Sequence, residues 1–294
     1  MQLLDMSVQK RTDRDQARRP LIEQLFHKKI IPPAFTELWV ETRFTYTNEV
    51  AASKKEKVTF QHPQQGDIIT DKITGMEFVY IPEGCFMMGS SPDDEDHQKD
   101  EGPVHEVCLS AFWMGKYPVT QGQWKKIMGD NPAKFKKGDN YPVEKVSWND
   151  AQKFITKLNK KSGKKFRLPT EAEWEYACRA KSSYTYSGGD NLDAVAWHNG
   201  NSGGTTHSVG QKKSNDFGLY DMSGNVWEWC ADWHREGYHN FSCKNPIGPV
   251  SGKRRILRGG SRISSSMDCR LVSRLAYCST SFHGTFGFRI VLPV

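Results

Sequence analysis

The N-terminal part of the chain is mostly polar, and apolar and polar positions begin to alternate at Met76. The stretch MEFVYIPEGCFMMGSS is rich in strand-forming residues and contains a Pro-Glu-Gly turn, which predicts β-strands separated by that turn. The stretch CLSAFWMGKYPVT predicts a further strand. Between the two, residues Ser90 to Gly102 are acidic and polar, as expected of a surface loop.

Three short helices are predicted after these strands, each by its own start signal. In each signal a hydroxyl residue is followed three positions later by Gln, Asp or Glu, which is the arrangement of a capping box. The three pairs are Thr120 with Gln123, Ser147 with Asp150, and Thr170 with Glu173. Behind Ser147, apolar residues recur at helical spacing from Ala151 to Leu158, so one face of that helix is expected in the core.

The chain after the third helix shows almost no helical periodicity. Loops rich in Gly, Ser and Asn separate short stretches with strand character, such as RILRGGS and GFRIVLPV. The pattern predicts an α+β domain in which a few short helices lie beside small, mostly antiparallel sheets. Loops of this length in an ordered domain usually carry function or bind ions.

Residues 1–70 differ in composition from the rest of the chain. They are polar, with one candidate helix near Gln16 to Lys29 and a small, charged stretch from Ala51 to Lys57. We expect residues 1–70 to form an N-terminal extension or a small subdomain, and residues 71–294 to form the main domain.

Composition and charge exclude several classes of function. The net charge of +7 is mild for 294 residues, and the chain carries no helix-turn-helix, zinc-finger or RNA-recognition signature, so we expect no nucleic-acid partner. The sequence contains no run of about 18 apolar residues, so it predicts no membrane span. Seven cysteines at wide spacing do not suit a small disulfide scaffold in a chain of this size.

The N-terminus, MQLLDMSVQKRTDRD, contains no apolar signal core. The expected location is therefore the cytoplasm, or the cell surface or exterior if a signal or lipid anchor is missing from this numbering.

Seven sequence blocks occur in an order that is specific to one family. The blocks are FMMGS (86–90), YPVT (117–120), PVEKVSWNDA (142–151), RLPTEAEWEYACR (167–179), FGLYDMSGNVWEWCADW (217–233), ILRGGS (256–261) and GFR (287–289). Together they resemble the formylglycine-generating-enzyme superfamily, also called the sulfatase-modifying-factor domain, over about Gly75 to Val294. The resemblance implies a heavily elaborated C-type lectin-like fold.

The resemblance also implies a structural calcium ion near the motif GNVWEW. Carried over residue by residue, the ligands are the Asn225 side chain, the Val226 carbonyl and the Glu228 carboxylate, and hard oxygen ligands are what calcium needs. The alternative is that these residues form structural hydrogen bonds. We expect no other cofactor to be required.

The enzyme of this family oxidises a substrate cysteine and needs two cysteines just after the GGS block, separated by four residues. The corresponding positions here are Ser264 and Cys269. A serine hydroxyl is a hard, protonated donor and does not replace a thiolate as a ligand of Cu(I). We therefore expect no formylglycine synthesis. An oxidase of the formylglycine-generating class acting on a cysteine substrate remains the alternative function.

The C-terminal segment is unusual for the residues that it excludes. From Arg254 to Val294 it contains no Lys, Glu, Gln, Asn or Trp, although the chain contains 26 Lys and 16 Glu. A segment of this length with average composition would hold about six Lys and Glu together. Apart from Met267, all of its residue types can be encoded by codons that end in a pyrimidine.

This exclusion resembles the pattern left by a diversity-generating retroelement, which randomises adenines mainly in Asn codons. The variable proteins of such elements resemble this superfamily, and their variable region lies at the C-terminus and ends near GFR. The implied variable region spans about 262–286. The positions that look randomised are Ile263, Ser264, Ser265, Asp268, Ser273, Leu275, Ala276, Tyr277, Cys278, Thr280, Ser281, His283, Gly284 and Thr285.

The composition of these positions favours binding over catalysis. They mix aromatic, hydroxyl and small residues, as antibody paratopes do, and Tyr277, Phe282 and Phe286 are candidate anchors. We expect Cys269, Arg270, Arg274 and Gly287–Arg289 to belong to the framework. The function predicted is a receptor-like protein that binds an unknown protein or cell-surface ligand. The alternative is an ordinary C-terminal segment whose buried strands exclude Lys and Glu.

Overall fold

A computed structural model describes residues 63–238 and 243–294 of the chain. The compact unit that contains them spans Pro63–Val294. It begins before the expected boundary at residue 71, because strand β1 (Ile68–Thr70) pairs with β2 (Glu77–Ile81). The helix predicted near residues 16–29 and the extension up to residue 62 lie outside the described residues.

Eleven strands form three small sheets within the described residues. The other strands are β3 (Gly84–Met88), β4 (His105–Leu109), β5 (Phe112–Gly115), β6 (Trp227–Trp233), β7 (Cys243–Lys244), β8 (Arg255–Arg258), β9 (Arg274–Tyr277), β10 (Phe286–Gly287) and β11 (Val291–Pro293). The first sheet has the order β1-β2-β5-β11, the second β10-β6-β8-β9, and the third β3-β4-β7. All pairs are antiparallel except β10 with β6 and β4 with β7, so the mostly antiparallel α+β architecture predicted from the sequence is confirmed.

The three predicted helices begin at the predicted caps. Helices α1 (Gln121–Met128), α2 (Trp148–Ser162) and α3 (Glu171–Arg179) each carry a complete capping box formed by Thr120, Ser147 or Thr170. Each box satisfies backbone N–H groups that the first helical turn would leave without partners. A fourth, four-residue helix, α4 (Leu192–Val195), gave no comparable signal in the sequence.

The helices pack their apolar faces on the sheets, and two hydrophobic clusters result. The first packs α1 and α2 against the first and second sheets, and in it the rings of Trp124, Phe154 and Phe288 stack or meet edge to face. The second joins α3 to the first and third sheets around Trp174 and Tyr176. Large rings thus fill a core that is built mainly from short strands and loops.

One pair of cysteines was not anticipated. Cys85 and Cys108 lie directly opposite each other in the β3–β4 pair and form a disulfide. None of the described helices is long and apolar enough to cross a membrane.

Candidate ligand-binding surface

The C-terminal segment supplies both edges of the second sheet. After β8 the chain makes a turn through Gly259–Ser261, forms a short 3-10 helix at Met267–Cys269, and returns as β9 at one edge. A loop then leads to β10 at the opposite edge. The segment therefore wraps the sheet, and its side chains divide between the core and the outer surface.

The GGS turn is fixed by its glycines. Gly259 and Gly260 have φ values of 96° and 76°, and a Cβ on Gly260 would lie 2.8 Å from the Cys269 Sγ. The Cys269 side chain is buried, and this burial raises the pKa of its thiol to about 12. Ser264 places its hydroxyl 3.2 Å from the Ser261 hydroxyl. Cys269 is thus a buried packing residue whose thiol is protonated at neutral pH.

Four arginines tie the segment to the rest of the domain. Each is paired with a buried glutamate from outside the segment: Arg258 with Glu175, Arg270 with Glu101 at 2.7 Å, Arg274 with Glu171 at 2.7 Å, and Arg289 with Glu228 at 2.6 Å. The last three pairs bond through two guanidinium nitrogens each. Bidentate pairs of this kind fix orientation as well as distance. The ion pairs therefore fix, from the core side, the backbone that carries the predicted variable positions.

The Arg258 guanidinium also binds the main chain of the segment directly. It donates hydrogen bonds to the carbonyls of Leu271, Val272 and Ser273. Near it, burial alone would raise the pKa of Glu171, but the charges of Arg274 and Arg258 hold that pKa below its usual value. The Glu171 carboxylate therefore stays ionised in the core and keeps its pairing with the segment.

Eleven of the fourteen predicted variable positions reach the surface. Five are exposed, namely Ile263, Tyr277, Cys278, Thr280 and His283. Six are partly exposed, namely Ser265, Asp268, Leu275, Ala276, Ser281 and Gly284. The apolar side chains of Ile263, Tyr277 and Phe282 are 51%, 44% and 59% exposed. We call the outer face formed by residues 263–285 the candidate binding surface.

The other three positions are buried. Ser264 accepts the Asn199 N–H at its carbonyl, and Ser273 presents its carbonyl to Arg258. Thr285 holds its hydroxyl 2.7 Å from the His283 ring. These three residues are buried. Ser264 and Ser273 contact the framework, and Thr285 supports the exposed His283 ring from beneath the surface.

An aromatic cluster forms part of this surface. Tyr277 and His283 lie with their ring centroids 5.0 and 5.6 Å from that of Phe286. Phe286 itself is only 4% exposed and meets Trp229 edge to face. The expectation that Phe286 is an exposed anchor is wrong, because its ring packs into the core and supports the two exposed rings.

The loop between β9 and β10 is held by backbone hydrogen bonds. The Lys145 N–H donates to the His283 carbonyl at 3.0 Å, and the Asn149 N–H donates to the Ser279 carbonyl at 3.2 Å. The Trp227 N–H donates to the Thr285 carbonyl at 2.8 Å. Because main-chain atoms make these bonds, they tolerate exchange of the side chains that the loop presents.

The residues implied as calcium ligands do not fit a calcium ion as they are arranged. Both Glu228 carboxylate oxygens accept hydrogen bonds from Arg289, and one also accepts the Trp174 indole N–H. The Asn225 amide accepts the His207 N–H and donates to Asp221 and to the His207 carbonyl. No cluster of three or more acidic, His or Cys side chains with metal-site geometry occurs in residues 63–238 and 243–294. Calcium binding at this ligand set would require the Asn225 and Glu228 oxygens to exchange these hydrogen bonds for the ion.

Comparison with known proteins agrees with this architecture. Residues 64–294 match the family described as the sulfatase-modifying factor enzyme 1-like domain. The chain is 36% identical to the chaperone protein LppX of Paenibacillus barcinonensis over 212 residues, which cover 54% of this chain and 72% of LppX. It is 29% identical to the formylglycine-generating enzyme of Thermomonospora curvata over 284 residues, covering 72% of this chain and 91% of that enzyme.

Other matches are partial or structural. The chain is 33% identical to a serine/threonine-protein kinase pkn1 of Chlamydia caviae over 242 residues, covering 72% of this chain but only 37% of the kinase. The solved structure of Treponema denticola variable protein 1 superposes with a TM-score of 0.71 at 31% identity, covering 77% of this chain and 99% of that one. The elaborated C-type lectin-like fold expected from the seven blocks is thereby confirmed. The chain belongs to the sulfatase-modifying-factor family, the superfamily of the formylglycine-generating enzyme.

Proposed function

We propose that this protein is a non-enzymatic ligand-binding protein whose candidate binding surface is diversified by a retroelement. The observation that carries the proposal is the division of one short segment by exposure. Of the positions selected from the sequence as randomised, eleven lie at least partly at the surface. The arginines selected as framework have side chains that are at most 6% exposed.

The chemistry of the surface supports binding of a macromolecular ligand. Tyr277 and His283 present rings on a rigid base, and Ile263 and Phe282 add exposed apolar area. Such side chains give large contact area at small entropic cost, and the neighbouring hydroxyl residues adapt their hydrogen bonds to the ligand. The similarity to a solved structure that is named a variable protein supports the same reading.

The genomic DNA beside the gene tests the diversification. We expect a near-copy of the last 100 or so nucleotides of the gene, differing at adenines and lying next to a reverse-transcriptase gene. The differences should fall in the codons of the proposed positions and spare those of Arg270, Arg274 and Arg289. A neighbourhood without the copy and the reverse transcriptase would remove the retroelement from the proposal.

Copper chemistry tests the oxidase alternative. Only one of the two positions for thiolate ligands is a cysteine, and Cys269 is buried and protonated. We expect purified protein incubated with Cu(I) to consume no oxygen on addition of a cysteine peptide. A Ser264→Cys variant measured alongside shows whether a second thiol is sufficient to bind the metal. Peptide-dependent oxygen uptake by the unmodified protein would overturn the non-enzymatic assignment.

A further inference from the structure

Lysines gather at the end of the domain where helices α1 and α2 terminate. From residue 151 to residue 170 the chain carries six lysines and one arginine but no acidic residue. Lysines from α1 and from the turn after β1 lie beside the last four of these. We call Lys72, Lys126, Lys160, Lys161, Lys164 and Lys165 the lysine face; all of them are exposed except Lys164, which is partly exposed.

Three side-chain contacts show that the lysine face is one continuous patch. The Lys126 ammonium donates to the Thr74 carbonyl at 3.0 Å, and the Lys161 ammonium lies 3.4 Å from the Lys126 carbonyl. Lys164 lies 3.7 Å from the Asp71 carboxylate, next to Lys72 in the chain. The β1–β2 turn and the C-terminal ends of α1 and α2 therefore meet at this patch.

The positive charge of the face exceeds what the fold needs. Asp71 is its one acidic neighbour by these contacts, and its carboxylate is 2% exposed and also accepts two hydrogen bonds from Thr74. Each helix C-terminus contributes about half a negative charge. Six lysines set against Asp71, Asp130 two residues after α1 and two helix ends leave about three positive charges. One or two lysines per helix would be enough to complement the dipoles.

Helix α2 separates the lysine face from the candidate binding surface. Asn149, in its first turn, donates to the Ser279 carbonyl of the β9–β10 loop. The helix has fifteen residues, so it is about 22 Å long. Lys160 and Lys161 lie in its last turn, and Lys164 and Lys165 follow directly. The two surfaces thus lie at opposite ends of α2.

We propose that the lysine face docks the domain on a membrane surface rich in anionic phospholipids, with the candidate binding surface directed away from it. Lysine is a compact point charge on a flexible stem and responds to charge density rather than to bidentate geometry. Clusters of four to eight cations bind anionic leaflets. Duplex DNA, in contrast, is read by an element that enters a groove, whereas the lysine face is formed by two helix ends and a turn that are packed on the core rather than by a projecting element. The docking is independent of the proposed ligand-binding function; only the significance of the orientation rests on it.

Vesicle co-sedimentation of the full chain tests the docking. We expect binding to vesicles that contain about one third phosphatidylglycerol, no binding to pure phosphatidylcholine vesicles, and release by high salt. The triple variant Lys72→Glu, Lys160→Glu, Lys165→Glu changes side chains without hydrogen-bond or ion-pair partners among the described residues. It should lower the vesicle partition coefficient at least tenfold. Its matched control, Lys136→Glu, Lys137→Glu, Lys253→Glu, makes the same charge change elsewhere and should lower the coefficient much less.

Three results would overturn the docking. One is equal binding to anionic and neutral vesicles. Another is an equal loss in the two triple variants, which would show that only net charge matters. The third is tighter binding to duplex DNA than to vesicles at equal phosphate concentration, which would assign the face to nucleic acid.

The exposed thiol of Cys278 tests the orientation. In a Cys243→Ser background, Cys278 is the remaining free cysteine that is exposed among the described residues, since the exposed Cys85 is held in the disulfide with Cys108. A polyethylene-glycol maleimide should modify it at the same rate with and without anionic vesicles, because the candidate binding surface faces away from the bilayer. Protection of Cys278 on the vesicles would contradict the orientation.

Discussion

The framework arginines and most of the predicted variable residues of the C-terminal segment occupy opposite environments although they lie close together along the chain. Arg270 and Arg274 each pair with a glutamate and carry side chains that are at most 6% exposed, whereas Tyr277 and Thr280 are exposed. Buried ion pairs on the core side and main-chain hydrogen bonds to neighbouring loops hold the backbone of the segment. A few side chains thus fix the segment, and the others can change without loss of the fold.

The largest expected effect comes from breaking one framework pair. Arg289→Met leaves the Glu228 carboxylate buried without its cation, so it should lower the free energy of unfolding by about 3–5 kcal/mol. Denaturant unfolding of the variant and the parent measures the difference. The double variant Glu228→Gln, Arg289→Met removes the uncompensated charge and should recover part of the loss. A loss below about 1 kcal/mol in the single variant would show that the pair does not hold the segment.

Asp232 is a buried acid that, unlike the framework glutamates, has no arginine paired with it in the described part of the chain. Asp232 accepts the Glu171 N–H, and it forms no ion pair with any described residue. Burial, with the nearby charge of Glu171, raises the pKa of Asp232 from 3.8 to about 7. Between pH 3.8 and about pH 7, Asp232 therefore keeps its proton in the folded state and has lost it in the unfolded state. The contribution of Asp232 to stability is therefore full below about pH 4, and it falls as the pH rises towards 7.

Asp232→Asn removes this pH dependence and keeps an oxygen for the Glu171 N–H. The variant should be more stable than the parent by up to a few kcal/mol at pH 8. The advantage should shrink steadily between pH 7 and pH 4. Denaturant titrations at four or five pH values measure it, and an advantage that grows as the pH falls would contradict the assigned pKa.

The buried and exposed members of the predicted variable set should differ in tolerance. Ser273→Tyr forces a ring into a filled space and should cost about 1–3 kcal/mol. Thr280→Tyr is its matched control at an exposed position, and its cost should stay within about 0.5 kcal/mol. Equal costs at the two positions, measured by thermal unfolding, would mean that burial does not divide the set.

The smallest expected effect concerns calcium. Because Arg289 already occupies both Glu228 oxygens, neither added calcium nor a chelator should shift Tm. A calcium-dependent rise in Tm that is lost in Glu228→Gln would instead establish the ligand set of Asn225, Val226 and Glu228.

Local signals in the sequence were sufficient for some elements and not for others. The caps at Thr120, Ser147 and Thr170 predict three helices because a capping box lies within four consecutive residues. The pairing of Arg270 with Glu101, 169 residues apart, leaves no local trace. The disulfide between Cys85 and Cys108 depends on the register of two strands, which spacing alone does not define.

The candidate binding surface is predicted from residue types, and residue type distinguishes exposed from buried positions only in part. Small hydroxyl residues such as Ser264, Ser273 and Thr285 suit a surface, but they also fill tight spaces beside a framework arginine or a main-chain turn. Phe286 shows the converse, since an aromatic residue in a variable-looking stretch packs inward. In both cases burial is set by neighbours that are distant in the sequence.

Two matched libraries test the central claim most directly. One randomises the eleven exposed or partly exposed positions, and the other randomises an equal number of buried positions in residues 254–294, each displayed on yeast and scored by protease resistance. We expect most members of the first library to keep the protease resistance of the parent and almost none of the second to do so. Comparable loss of resistance in both libraries would contradict the division of the segment into a fixed framework and a variable binding surface.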